Sequence, residues 1–66
     1  MQVKDTIRDI VKEYFNVDDN EVIPADSLLF LEIAYVIEAK TGVEIGTRFE
    51  LDTINKLNRY VETHGA

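Results

Sequence analysis

Three stretches of this chain repeat their apolar residues every three or four positions, and the segments between them are short and rich in turn formers. That spacing is the signature of amphipathic helices, each needing a partner for its apolar stripe. In the first stretch Val3, Ile7, Ile10, Val11, Tyr14 and Phe15 form the stripe. Asp5 and Arg8, and Asp9 and Lys12, are opposite charges three apart, which support an exposed helical face. Lys4, Arg8 and Lys12 share a second stripe, but the interleaved acids make it a solvated face rather than a basic docking site.

The second stretch, SLLFLEIAYVIEAK from Ser27 to Lys40, is the most apolar. Asp26 or Ser27 suits its N-cap and Gly42 its C-terminal stop. Phe30, Ile33, Ala34 and Ile37 fall on one face, while Leu28, Leu31 and Tyr35 make a second. A helix in a small bundle needs only one apolar face. The second face is either a widened core stripe or a surface for a partner. The third stretch, TINKLNRYVE, carries Ile54, Leu57, Tyr60 and Val61 in the same pattern behind a cap at Asp52 or Thr53.

Between the first two helices, NVDDNEVIPAD reads as a connection in which Val17, Val22 and Ile23 tuck under the bundle. Its D-D-N-E run lacks the glycine and the closing glutamate that a calcium loop requires, so it is a polar turn. Val43 and Ile45 alternate with Glu44 in an extended link, and a short turn of helix is expected around Thr47 to Leu51, with Phe49 and Leu51 as inward anchors. The chain is thus expected to be a single all-α domain over residues 1–66, a small helical bundle of three main helices plus a short one.

Composition narrows the function. With 66 residues the chain is one small domain, which buries only about 60% of the surface its unfolded form exposes. Thirteen acids face seven bases, for a net charge of −6. That balance argues against nucleic-acid binding, which draws its energy from Lys and Arg releasing counterions, and suits encounter with basic protein surfaces. There is no cysteine, hence no disulfide, thiolate metal site or cysteine nucleophile. The lone histidine, His64, sits beside the C-terminus and reads as solvated. No nucleophile–base pair can be assembled from it and the scattered hydroxyls, so the chain is not expected to be an enzyme, and no metal is expected. No stretch reaches the roughly 18 apolar residues of a membrane span, and the N-terminus lacks the apolar core of a secretory signal. A cytoplasmic monomer is the expectation.

The run Asp26-Ser27-Leu28 followed by Leu31-Glu32-Ile33 resembles the D-S-L-x-x-[hydrophobic]-E-[hydrophobic] signature of acyl and peptidyl carrier proteins. The likeness extends through VKEYFNVDDNEVIP, AYVIEAKTGVEI and ELDTINKLNRYVE, in the family's order, over nearly the whole chain. A bare D-S-L triplet is weak evidence; the triplet with its flanking helices in order is far more specific. The resemblance implies an acyl-carrier-like bundle in which Ser27 receives 4′-phosphopantetheine from coenzyme A and Asp26 assists the phosphopantetheinyl transferase that installs it. It also implies that Leu28, Leu31, Glu32 and Glu38 form a hydrophobic patch with acidic rims, docking on basic sockets of acyl-processing enzymes. Fatty acid, polyketide, peptide and specialised lipid pathways all use such carriers. The attached arm would supply the thiol that the sequence lacks. The plain alternative is that Ser27 is only a helix cap.

Two features depart from the family's pattern. The first loop is short by roughly eight residues, with no room between Pro24 and Asp26 for the usual segment before D-S-L. A second alignment places EVIPADSL at the start of that loop and leaves no modifiable serine. The first keeps Ser27, Leu31 and Glu32 in register without a gap, and the second makes the chain a carrier-like interaction module with no prosthetic group. Leu29 and Phe30 stand where relatives carry an acid and a small residue; Phe30 is expected to point inward and to fill space that a tethered chain would otherwise take.

Overall fold

The structure, a computed structural model, describes residues 3–65. Its described elements are three helices, α1 (Val3–Tyr14), α2 (Ser27–Thr41) and α3 (Ile54–His64), an all-α bundle. Val3 and Lys4, placed above on the apolar and basic stripes of the first helix, lie outside the residues whose side chains are described. No described helix is long and apolar enough to cross a membrane.

Helix α1 is the common partner. It packs against both α2 and α3, which touch each other far less. Its Ile7, Ile10 and Val11 are buried and its Tyr14 half-buried, in the order the periodicity predicts. Asp5 in the first turn and Lys12 in the last complement the helix dipole.

The space α2 and α3 leave between them is filled from the loops. Val17, Ile23, Val43 and Ile45 join Ile7, Ile33, Ile37, Ile54 and Leu57 in one continuous core. A buried Ile or Leu is worth about 1.5–3 kcal/mol relative to leaving it in water, so loop anchors matter in a chain this short. One polar atom is out of place. Asn58 of α3 is buried, and its side-chain oxygen has no hydrogen-bond partner among the described residues.

The loop between α1 and α2 is held at both sides. Arg8 of α1 donates from Nε and Nη2 to the two carboxylate oxygens of Asp19, at 3.1 and 2.8 Å, and also faces Asp5 at 3.6 Å. That hydrogen bond first, then the charge of Asp19, raises the Arg8 guanidinium's pKa further. On the other side the Asn55 N–H donates to the Asp19 carbonyl at 3.0 Å, and the Ile23 N–H to the Asp52 carbonyl at 2.7 Å. Asn55 also donates from its side-chain amide to Asn20. The D-D-N-E run is a turn closed by the Glu21 N–H on the Asp18 carbonyl. Val22 departs from expectation. It points outward, 60% exposed, because Ile23 takes the inward position and neighbours in an extended segment face opposite ways.

The second correction concerns residues 47–51, which form turns and no helix. Gly46 itself takes a left-handed φ of 58° just after Ile45, and the bonds that follow run three residues or fewer, Arg48 N–H to Ile45 O and Leu51 N–H to Arg48 O. So short a span before the cap of α3 cannot recover the cost of nucleating a helix. Leu51 packs on the core as expected, but Phe49 stays 44% exposed and touches it edge-on through Phe30. Thr53, not Asp52, caps α3, accepting from the Lys56 N–H at 3.1 Å, while Asp52 pairs with the Lys56 ammonium at 3.0 Å.

Ile37 is fully buried where α2 meets the core. Ile37→Ala should lower stability by about 2–5 kcal/mol, a large share of what a small domain has, and shift the urea midpoint accordingly. Ala39→Ser on the exposed side of the same helix should leave that midpoint nearly unchanged.

Candidate functional site

Asp26 settles which residue caps α2. Its backbone is extended, and its carboxylate accepts from the Leu29 N–H at 2.8 Å while its carbonyl accepts from the Phe30 N–H at 2.8 Å. Ser27 is therefore the first helical residue and is free of the capping role. Its side chain is exposed, and its hydroxyl has no hydrogen-bond partner among the described residues. The N–H groups of Ser27 and Leu28 have no acceptor within the helix and sit at the positive end of its dipole. A hydroxyl, two free donors and a favourable field thus meet at one exposed point. That combination suits a phosphate ester.

The rest of α2 resolves the puzzle of its two apolar faces. Phe30, Ile33, Ala34 and Ile37 are buried. Leu28, Leu31 and Tyr35 are 78%, 36% and 72% exposed. At about 100° per residue the exposed three lie within roughly 60° of one another, almost opposite the buried four. Glu32 falls about 40° to one side of Leu28 and Glu38 about 80° to the other, so the acids flank the apolar stripe. The second face is a surface stripe, not a widened core.

Glu32 has a neighbour that the sequence pattern did not indicate. It lies close to the Tyr14 phenol of α1, whose pKa is raised by burial first, then by the charges of Glu32 and Glu13 and by a hydrogen bond to Glu32. Tyr14 was legible only as a member of the core stripe; its polar end meets α2 through the packing of the two helices.

His64 is exposed, as expected, but stacks on Tyr60 with ring centres 4.0 Å apart, and the Arg48 guanidinium lies 5.3 Å from the same Tyr60 ring. Sequence spacing could have suggested the first contact, since residues four apart meet on a helix. Among the described residues no cluster of His, Asp and Glu forms that could hold a metal ion. Comparison with protein-family models, with curated proteins and with solved structures found no match.

Asp26→Ala should cost about 1 kcal/mol of stability by leaving the Leu29 N–H without its acceptor, read from denaturant unfolding. Tyr14 supplies a pH test. Its folded pKa lies above its unfolded value, so its contribution is full below about pH 10 and is lost as pH rises through the folded value. The stability difference between the parent and Tyr14→Phe should shift against the parent across that alkaline range. A difference that stays flat would remove Tyr14 from the interaction.

Proposed function

We propose that this chain is an acyl carrier protein, holding acyl or aminoacyl thioesters on a 4′-phosphopantetheine arm at Ser27 and presenting them to partner enzymes. The observation that carries the proposal is the exposed, unpartnered Ser27 hydroxyl beside a cap that belongs to Asp26. The whole-chain resemblance described above supports it. The cap matters chemically: because Asp26 satisfies the Leu29 N–H, the Ser27 hydroxyl remains available to attack the pyrophosphate of coenzyme A. The ester bond would form at Ser27 Oγ as adenosine bisphosphate leaves, with a transferase supplying the base. When bound, the arm provides the thiol that the chain lacks. The N–H groups of Ser27 and Leu28 would face its phosphate.

The stripe of Leu28, Leu31 and Tyr35 between Glu32 and Glu38 fits the partner surface that such a role needs. Exposed acids around an apolar patch steer and orient encounter with basic sockets more than they tighten binding, which suits a carrier that must leave each enzyme. Glu32 has a second task in this reading, since its carboxylate also faces Tyr14. The pathways that use such carriers differ in cargo, and the carrier role is common to all of them.

A second reading keeps the stripe and dispenses with the arm. The short first loop favours it: the loop is anchored at Asp19, Asn20 and Ile23, and the chain would be a helical interaction module acting through α2.

Incubation with coenzyme A and a broad-specificity phosphopantetheinyl transferase separates the two. Intact mass should rise by one phosphopantetheine, and Ser27→Ala should abolish the increment. A folded protein that gains no mass would sink the carrier reading and turn attention to partners of the α2 face.

A further inference from the structure

Phe30, less than one turn from Ser27 on α2, is buried and packs against Phe49. Along α2, Phe30 lies about 4.5 Å further than Ser27 and about 60° around the axis toward the buried face. A flexible chain rooted at Ser27 and turning inward on that side therefore meets Phe30 first. The Phe30 side chain is only 5% exposed, and its ring packs edge-on against Phe49 with centres 5.2 Å apart and planes at 67°. Phe49 comes from the turn region 47–51, so the pair joins the start of α2 to the segment that follows it. Beyond them Ile33, Ile37, Val43 and Ile45 are all buried in the same core.

An apolar cargo tethered near such a core gains by entering it only where it can replace water rather than protein, because interiors are close-packed and extra methylenes force side chains from their rotamers. Here entry requires moving an aromatic ring that already fills its place. We propose that the Phe30–Phe49 pair excludes tethered chains from the helical core, so that the cargo class is short or polar acyl groups that need no shelter from water. This deepens the carrier reading of Ser27 and rests on it for the cargo. The exclusion itself is a property of the fold and can be tested without the natural arm.

The chain has no cysteine, so Ser27→Cys creates a unique thiol. That variant would be capped with methyl or with octyl methanethiosulfonate, and the two forms compared by melting temperature and by methyl NMR. The expected result is melting within about 2 °C of each other, with shifts confined to Leu28 and Leu31. An octyl form that melts about 10 °C higher, with new shifts at Ile33, Ile37 and Val43, would overturn the proposal, since several buried methylenes stabilise a domain this small by that much. In the same background Phe30→Ala should open the core to the octyl chain and make that response appear. Phe30→Leu, which retains more of the core volume, serves if the alanine variant does not fold. If neither the parent nor a folded Phe30 variant responds to the octyl chain, Phe30 is not the barrier and the proposal fails. Because the chain is attached chemically, these outcomes are independent of whether a transferase modifies Ser27.

Discussion

The burial of α1 between its two partners is the contact on which this structure depends. Ile7 and Val11 are fully buried, on a helix that packs against two others that scarcely meet each other. A chain of 66 residues has little apolar surface to bury, and three helices alone leave gaps. The gaps are closed by loop residues, Val17 and Ile23 before α2 and Val43 and Ile45 after it. The connections are therefore structural parts of the core rather than tethers. The Arg8–Asp19 pair and the backbone bonds from Ile23 and Asn55 hold the first of them in place.

With α1 providing the common wall, α2 can commit only one face to the interior. Its apolar residues then divide into a buried row and an exposed row on opposite sides. Leu28 and Tyr35 are thereby left in water, and in the carrier reading they become the docking stripe. The cap at Asp26 places Ser27 at the head of the same helix, so the candidate attachment point and the candidate docking stripe share one rigid element. Geometry between them is fixed by helix pitch rather than by loop conformation. In the carrier reading, that rigidity brings the arm to a partner's active site whenever the stripe is seated.

Much of this was legible from local pattern. The periodicities located all three helices, their buried rows, the inward Phe30 and the alternation of Val43 and Ile45. What the pattern left open or missed has a common cause. Asp26 or Ser27 and Asp52 or Thr53 stayed open as caps, and Val22 was expected inward together with Ile23; adjacent residues of similar propensity are separated only by their neighbours across the fold. Phe49 and the absent short helix belong with these, because one turn of chain carries too weak a periodicity to distinguish helix from successive turns.

The sequence by itself determined the all-α class, the order of the helices and the chemical inventory: one serine at the head of the most apolar helix, no thiol and an excess of acids. These follow from residue spacing and composition, which act locally. Only the tertiary structure decided that Leu28, Leu31 and Tyr35 remain outside, that Tyr14 faces Glu32, that Asp19 is clasped by Arg8, and that Phe49 closes over Phe30. Each of these depends on which surfaces meet when distant segments pack, and apolar spacing fixes a helix's faces without saying which of them will find a partner.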